Sequence, residues 1–339
     1  MNSKRWFNTG ATWALAMFLA GCGASGVTTT PGGSEQATGE KFESEDYIVV
    51  IAKSNDTAAS LAARFLNDVS KDWMIEEFNH GTAIVPGQQV VIPKRFWNLS
   101  GVNADGYQLV PVLCYHNLAP QSKGRMILAA KVFEDQMRYL KNQGYRVINL
   151  RQFVEFVSLK RQLPRRSVLL TFDDGYRSFS QYALPVLKEL GFTATLFIYT
   201  DYVGAGGNAF TWDELRKLQQ EGFDIQAHSK SHGDMVRAGT EPANEYDKRL
   251  EAELMQPRSL FQKYLGAPPD ILAYPYGRQD EAVVRKTRDR GYAAAFTVRR
   301  QSSPSFVDPY RIHRSQIYPE MSIEDFTKNL DLFSREEIK

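Results

Sequence analysis

Val168-Leu169-Leu170-Thr171-Phe172-Asp173-Asp174-Gly175-Tyr176 decides the fold. An uninterrupted apolar run of strand length, bounded by glycine, reads as a strand buried on both faces. It ends in two adjacent carboxylates, and neighbouring acids repel unless a cation lies between them. Alone, Asp-Asp-Gly is also a common surface turn. The apolar run before it argues for a strand that aims both acids at one end of a sheet.

Outward from this stretch the same grammar repeats. Leu109–Tyr115, Arg146–Leu150, Thr193–Tyr199, Phe223–Ala227, Ile271–Tyr274 and Ala293–Val298 also read as buried strands. Between them Val132–Gln143, Ala183–Leu190, Thr211–Glu221 and Glu245–Tyr264 have helical patterning, several closed by glycine (Gly144, Gly191, Gly222). Strands alternating with helices predict an α/β fold, a distorted parallel (β/α) barrel of about seven strands. In such folds chemistry gathers at the C-terminal ends of the strands. Phe223–Ala227 runs into His228-Ser229-Lys230-Ser231-His232, and if the chain turns helically there, the four-residue spacing puts both imidazoles on one side. Two histidines and a carboxylate, with positions left open, suit a catalytic metal.

These motifs carry a resemblance. Thr171-Phe172-Asp173-Asp174-Gly175 with His228-Ser229-Lys230-Ser231-His232 is similar to the first two motifs of the NodB-like polysaccharide deacetylases, carbohydrate esterase family 4, over roughly residues 107–320. The resemblance implies that Asp173 is the general base and that Asp174, His228 and His232 hold a divalent metal. Zinc is the default, and cobalt, nickel or iron also suit the ligand set. It further implies hydrolysis of N-acetyl groups on GlcNAc-containing polysaccharide.

The third family motif, Arg-x-Pro-Tyr-Gly, reads Ala273-Tyr274-Pro275-Tyr276-Gly277 here. The Tyr276 backbone N–H is then the oxyanion donor, and the missing arginine must be replaced, with Arg311 or Arg314 as candidates. For the general acid, His313 lies late in the chain. His116, in Pro111-Val112-Leu113-Cys114-Tyr115-His116, resembles the relocated motif of the circularly permuted branch acting on poly-β-1,6-N-acetylglucosamine, and is preferred. Trp212 is a candidate for the cleft, although Thr211 with Glu214 also forms a capping box beside a packed Trp.

The remainder of the chain is shorter. Tyr47–Val50, Ala58–Phe65, Trp73–Phe78 and Gln89–Pro93 predict strand, helix, helix, strand within residues 46–94. With Asp56-Thr57, Leu61-Ala62, Asn79 and Pro86-Gly87, they resemble a LysM module, which implies binding to GlcNAc-containing chains such as peptidoglycan. Residues 95–107 read as a linker and 321–339 as a C-terminal helix and tail. Lys4 and Arg5 precede an apolar run ending in Leu19-Ala20-Gly21-Cys22, the pattern of an export signal and similar to the bacterial lipobox. Residues 1–22 are then a lipoprotein signal that leaves Cys22 lipidated, and the Gly/Ser/Thr-rich 23–45 a tether.

The expected location is the bacterial cell envelope, anchored in the membrane by lipid. Gly23 favours the periplasmic side of the outer membrane if the source is Gram-negative. With Cys114 the only other cysteine, the mature chain has no intramolecular disulfide. A formal net charge of +2 without basic blocks gives no footprint for nucleic acid. Two readings stay open: an active deacetylase on peptidoglycan or poly-β-1,6-GlcNAc, or a LysM-anchored glycan binder whose barrel is weak or inactive.

Overall fold

The computed structural model describes residues 41–335. The signal segment, Cys22, most of the tether and the last four residues lie outside the described residues.

The first elements are β1 (Tyr47–Ile51), α1 (Ala58–Leu66), α2 (Asp72–Phe78) and β2 (Gln89–Pro93). β1 and β2 pair antiparallel, and Phe42–Glu43, at the end of the expected tether, adds a third strand beside β1. Thr57 caps α1 in a capping box with Ser60. Asn79 ties helix to sheet: its amide donates to the carbonyls of Ile75 and Val91 and accepts from the Val91 N–H. Ile48, Leu61, Ala62, Ile75, Val90 and Ile92 fill the small core.

The larger part comprises β3 (Val112–Tyr115), α3 (Ala130–Asn142), β4 (Arg146–Ile148), α4 (Leu150–Val157), β5 (Ser167–Asp173), α5 (Leu184–Leu190), β6 (Thr195–Ile198), α6 (Trp212–Gln220), β7 (Asp224–Ala227), α7 (Ala243–Leu265), β8 (Ile271–Ala273), α8 (Glu281–Asp289), β9 (Ala294–Phe296) and β10 (Ser315–Gln316). The order across the sheet is β9-β8-β7-β6-β5-β3-β10, all pairs parallel, with β4 beside the first half of β5. A parallel bridge from Phe296 to Ile312 joins β9 to the residues leading into β10, which nearly closes the barrel. This is the expected α/β barrel.

All seven residues of β5 are buried. Strand alternation sends Val168, Leu170 and Phe172 against Phe133, Met137 and Leu187 of the helical layer. Leu169 faces inward with Val112, Phe197 and Phe296. The same alternation puts Thr171 and Asp173 on the barrel's inner face, at its C-terminal mouth.

Two readings change, and one strand was not expected. The closing strand β10 is short and polar and carries no apolar signature. Arg146–Leu150 is not one strand, because Asn149 caps α4 in a capping box with Gln152. The 95–107 linker is structured: Val102–Asn103 and Gly106–Gln108 form a hairpin, extended by Phe333–Ser334 from the C-terminal tail.

The small βααβ unit is fixed to the barrel's N-terminal end. Arg146, opening β4, donates two hydrogen bonds to Asp72 at 2.8 and 3.1 Å. The Arg165 N–H, two residues before β5, donates to Glu77 at 2.7 Å. Trp73 packs on Phe96 and Trp97, and Gln162 accepts from the N–H groups of Trp97 and Asn98. Among the described residues no helix is long and apolar enough to cross a membrane.

Candidate active site

Asp173 ends β5 with its carboxylate inside the barrel and 3% exposed. Arg314, itself fully buried, grips it with two parallel bonds, Nη1 to Oδ1 at 2.7 Å and Nη2 to Oδ2 at 2.8 Å. The guanidinium also donates to the Thr297 carbonyl and the Thr171 hydroxyl, and lies over Phe197 and Phe296. Bidentate, charge-assisted pairing fixes the plane of the acid as well as its charge. Burial pushes the Asp173 carboxyl up, but the Arg314 charge and hydrogen bonds, with His228 nearby, override it and hold the acid well below the usual carboxylate range. Cys114 adds a thiol donor at 3.3 Å from Oδ2.

Asp174 continues the chain at φ +74°. Such a conformation is rare for a residue with a side chain and clusters at functional sites. Its Oδ1 lies 3.2 Å from His232 Nε2 and 3.6 Å from His228 Nε2, and no hydrogen bond satisfies it. His228 is buried, and its Nδ1 meets the Ala273 carbonyl at 2.7 Å, which places the proton on Nδ1 and leaves the Nε2 lone pair facing the acids. His232 (φ +60°) follows Ser229 (φ +70°), whose Oγ accepts from the His232 N–H. The loop between them rests on Glu253 of α7, which accepts from the N–H groups of Lys230 and Ser231 and from the Ser231 hydroxyl.

This donor set fits a divalent cation. Ligand atoms of Asp174, His228 and His232 lie within 4.8 Å of one another. Bonds of about 2.1 Å in a tetrahedron have edges of about 3.4 Å, near the separations seen here. Without a cation, burial first and then the Asp173 charge raise the Asp174 carboxyl to about 6. Burial also lowers His228 to about 3, so the imidazole stays neutral as a ligand must.

The other candidates separate cleanly. His116 follows β3 on the inner face; one of its ring nitrogens lies within 4.8 Å of an Asp173 carboxylate oxygen, and its Nδ1 is buried without a partner. Burial lowers its pKa, opposed by the charges of Asp173 and Asp174. His313 likewise has a buried Nδ1 without a partner and a pKa lowered by burial, but the charge acting on it is Arg299 and not the two acids, and it borders a pocket with Gly277 and Arg311. Arg311 pairs with Asp308 and Glu281, away from Asp173. Trp212 stacks on Tyr264 and meets Phe261 edge-on, so it packs α6 against α7 and does not line the cleft. Tyr276, at φ +59° and 58% exposed, sets its ring 4.8 Å from that of His232. The next residue must be glycine, since a Cβ on Gly277 would sit 2.4 Å from the Val298 nitrogen. Glu253 was not singled out from the sequence, although an acid on the Leu250–Leu254–Phe261 face of α7 is a signal.

Residues 160–295 match the family model described as polysaccharide deacetylase. The chain is 27% identical over 213 residues to the "Putative polysaccharide deacetylase YxkH" of Bacillus subtilis, covering 63% of this chain and 73% of that one. To the poly-β-1,6-N-acetyl-D-glucosamine N-deacetylase of Staphylococcus epidermidis it is 23% identical, covering 60% and 72%. The Streptococcus pyogenes deacetylase PplD, solved with acetate, shares the fold with a TM-score of 0.60 at 22% identity, over 67% of this chain and 99% of that one.

Proposed function

We propose that the protein removes N-acetyl groups from GlcNAc units of an envelope polysaccharide, with poly-β-1,6-GlcNAc favoured over peptidoglycan. The observation that carries this is the Asp173–Arg314 pair beside the Asp174, His228 and His232 triad at the strand ends. His116 on an early strand and the likeness to the staphylococcal enzyme support the β-1,6-linked polymer.

Asp174, His228 and His232 would hold the divalent metal, zinc by default. When bound, it supplies Lewis acidity that polarises the acetyl carbonyl and acidifies water. Asp173, locked in plane by Arg314, accepts the proton of the attacking water. The Tyr276 backbone N–H faces the developing oxyanion. As the carbon–nitrogen bond breaks, His116 gives its proton to the amine, and acetate and a free amine leave. The burial that lowers its pKa makes the imidazolium a ready donor. Arg314 takes over the part of the arginine absent at Ala273.

Residues 46–94 act in this reading as a LysM-like glycan-binding module. A groove of about 330 Å³, bordered by Asp56, Thr57, Asn79, Gly81 and Thr82, is its binding site. Lipid on Cys22 would hold the chain in the envelope.

Acetate release from purified poly-β-1,6-GlcNAc and from peptidoglycan tests the activity. Release from the first polymer several-fold faster is expected. Bound metal with no acetate from either would favour the glycan-binding alternative.

A further inference from the structure

At the opposite end of the barrel from the triad, the small unit, the hairpin and the tail strand enclose a cavity of about 460 Å³. That volume is in the range of small-molecule sites, roughly 300–1,000 Å³. Trp97, Asp105, Arg165, Arg166, Phe333 and Arg335 border it. Its walls are hydrogen-bonded to one another. Gln162 accepts from the N–H groups of Trp97 and Asn98, and the buried Gln108 amide donates to the Pro164 carbonyl at 2.8 Å. Gly106, at φ +146°, has no room for a side chain, because a Cβ there would collide with the Ser334 carbonyl. Hairpin and tail therefore meet backbone to backbone, and the cavity is formed before any ligand arrives.

Three features of the lining are left without a structural partner. Arg165 faces Glu77 at 3.9 Å, but among the described residues neither Arg166 nor Arg335 has a carboxylate partner. Arg166 only lies over the Tyr145 ring, at 4.6 Å. Asp105, in the hairpin turn, likewise has no cation among the described residues. Trp97 is held in orientation by Trp73 and Phe78, with ring centroids at 6.1 and 5.1 Å, yet stays 37% exposed. With three arginines against Glu77 and Asp105, the lining carries one net positive charge.

We propose that this cavity binds an acidic saccharide, a pyranose on Trp97 with its carboxylate held by Arg166 and Arg335. An indole partly open to solvent takes the apolar C–H face of a sugar ring. Unpaired guanidinium groups match a carboxylate in shape and charge, and Asp105 accepts from sugar hydroxyls. A bare anion has no use for Trp97 and would be repelled by Asp105. A neutral sugar would leave both guanidinium groups unpaired. The site shares no residue with the mouth, so it does not depend on the deacetylase reading. An acidic polymer bound here holds the base of the barrel and leaves the mouth free.

The test is calorimetric binding to the full metal-loaded chain of cellobiouronic acid and of cellobiose. The two disaccharides differ in one carboxylate, and neither carries an acetamide for the mouth to hydrolyse. The acidic sugar should bind about tenfold more tightly. Arg166→Gln and Arg335→Gln should each cut that preference at least about threefold, and the double variant should abolish it, with the thermal midpoint kept. No preference in the wild type would overturn the site, and so would a preference that survives the double change. Displacement of the acidic sugar by an equal concentration of inorganic phosphate would also overturn it, as the mark of a bare anion site. If Arg166→Gln does not fold, Arg335→Gln decides alone, and an unchanged preference there overturns the site. The lactyl-bearing disaccharide of peptidoglycan identifies the source. Binding tighter than cellobiouronic acid upholds the site as one for the wall, and weaker binding upholds it as one for a uronic-acid polymer.

Discussion

The two ends of the barrel are built on opposite principles. At the C-terminal mouth, charges are buried and the backbone is strained. Asp173 and Arg314 pair without solvent, and Asp174, Ser229, His232 and Tyr276 make up four of the seven non-glycine residues with positive φ among the described residues. At the N-terminal end, Arg146 and Arg165 meet Asp72, Glu76 and Glu77 of the small unit in partly exposed pairs around an aromatic contact. Buried pairs are costly to break and exposed ones contribute little. The mouth thus spends stability on a fixed geometry, while the base is an ordinary docking contact.

The largest effect is expected from the triad. His232→Ala should lower turnover to background and release the metal, read by elemental analysis; retained metal would move the ligand set elsewhere. Next is the pair. Arg314→Met leaves Asp173 buried without its partner, and a loss of about 3–5 kcal/mol in denaturant unfolding is expected. The matching change at the other end, Arg146→Met, should cost less than about 1 kcal/mol and leave kcat alone. Equal losses at both ends would erase the contrast.

His116→Ala should cost about 10²- to 10⁴-fold in kcat, and His313→Ala less than about twofold. The reverse ranking would transfer the acid to His313.

The smallest signal is in pH. Burial lowers His228 to about 3, so the unfolded chain takes up a proton that the folded chain refuses once pH drops below about 6.5. Metal-free protein should lose stability as pH falls from about 6.5 toward 3. Asp174, raised to about 6, offsets one proton of this between about pH 4 and 6. In His228→Asn the slope of unfolding free energy against pH should drop by up to about 1.4 kcal/mol per pH unit. An unchanged slope would mean that His228 is charged in the fold.

Much of the mouth was legible in the sequence because local patterns encode it. The apolar Val168–Phe172 run fixed a two-sided buried strand and the place of the acids at its end; His228 and His232 do meet, but through left-handed backbone at Ser229 and His232 and not through the helical turn that the four-residue spacing suggested. Arg314 was legible only as one of two candidates. β10 is two polar residues long, so nothing in Arg311-Ile312-His313-Arg314 says that alternation turns Arg314 inward and His313 away. The docking of the small unit was also hidden. Arg146 meets Asp72 across 74 residues, and the tail strand Phe333–Ser334 pairs with Tyr107 and Gln108 across more than two hundred. Such long-range pairings leave no local trace.

The division of labour at the mouth, one acid for the proton and three residues for the metal, is tested most directly by Asp173→Asn with metal content and acetate release measured on the same sample. One equivalent of divalent metal should remain while release from poly-β-1,6-GlcNAc falls by at least about 10²-fold. Loss of the metal together with the activity, or activity within a few-fold of wild type, would contradict it.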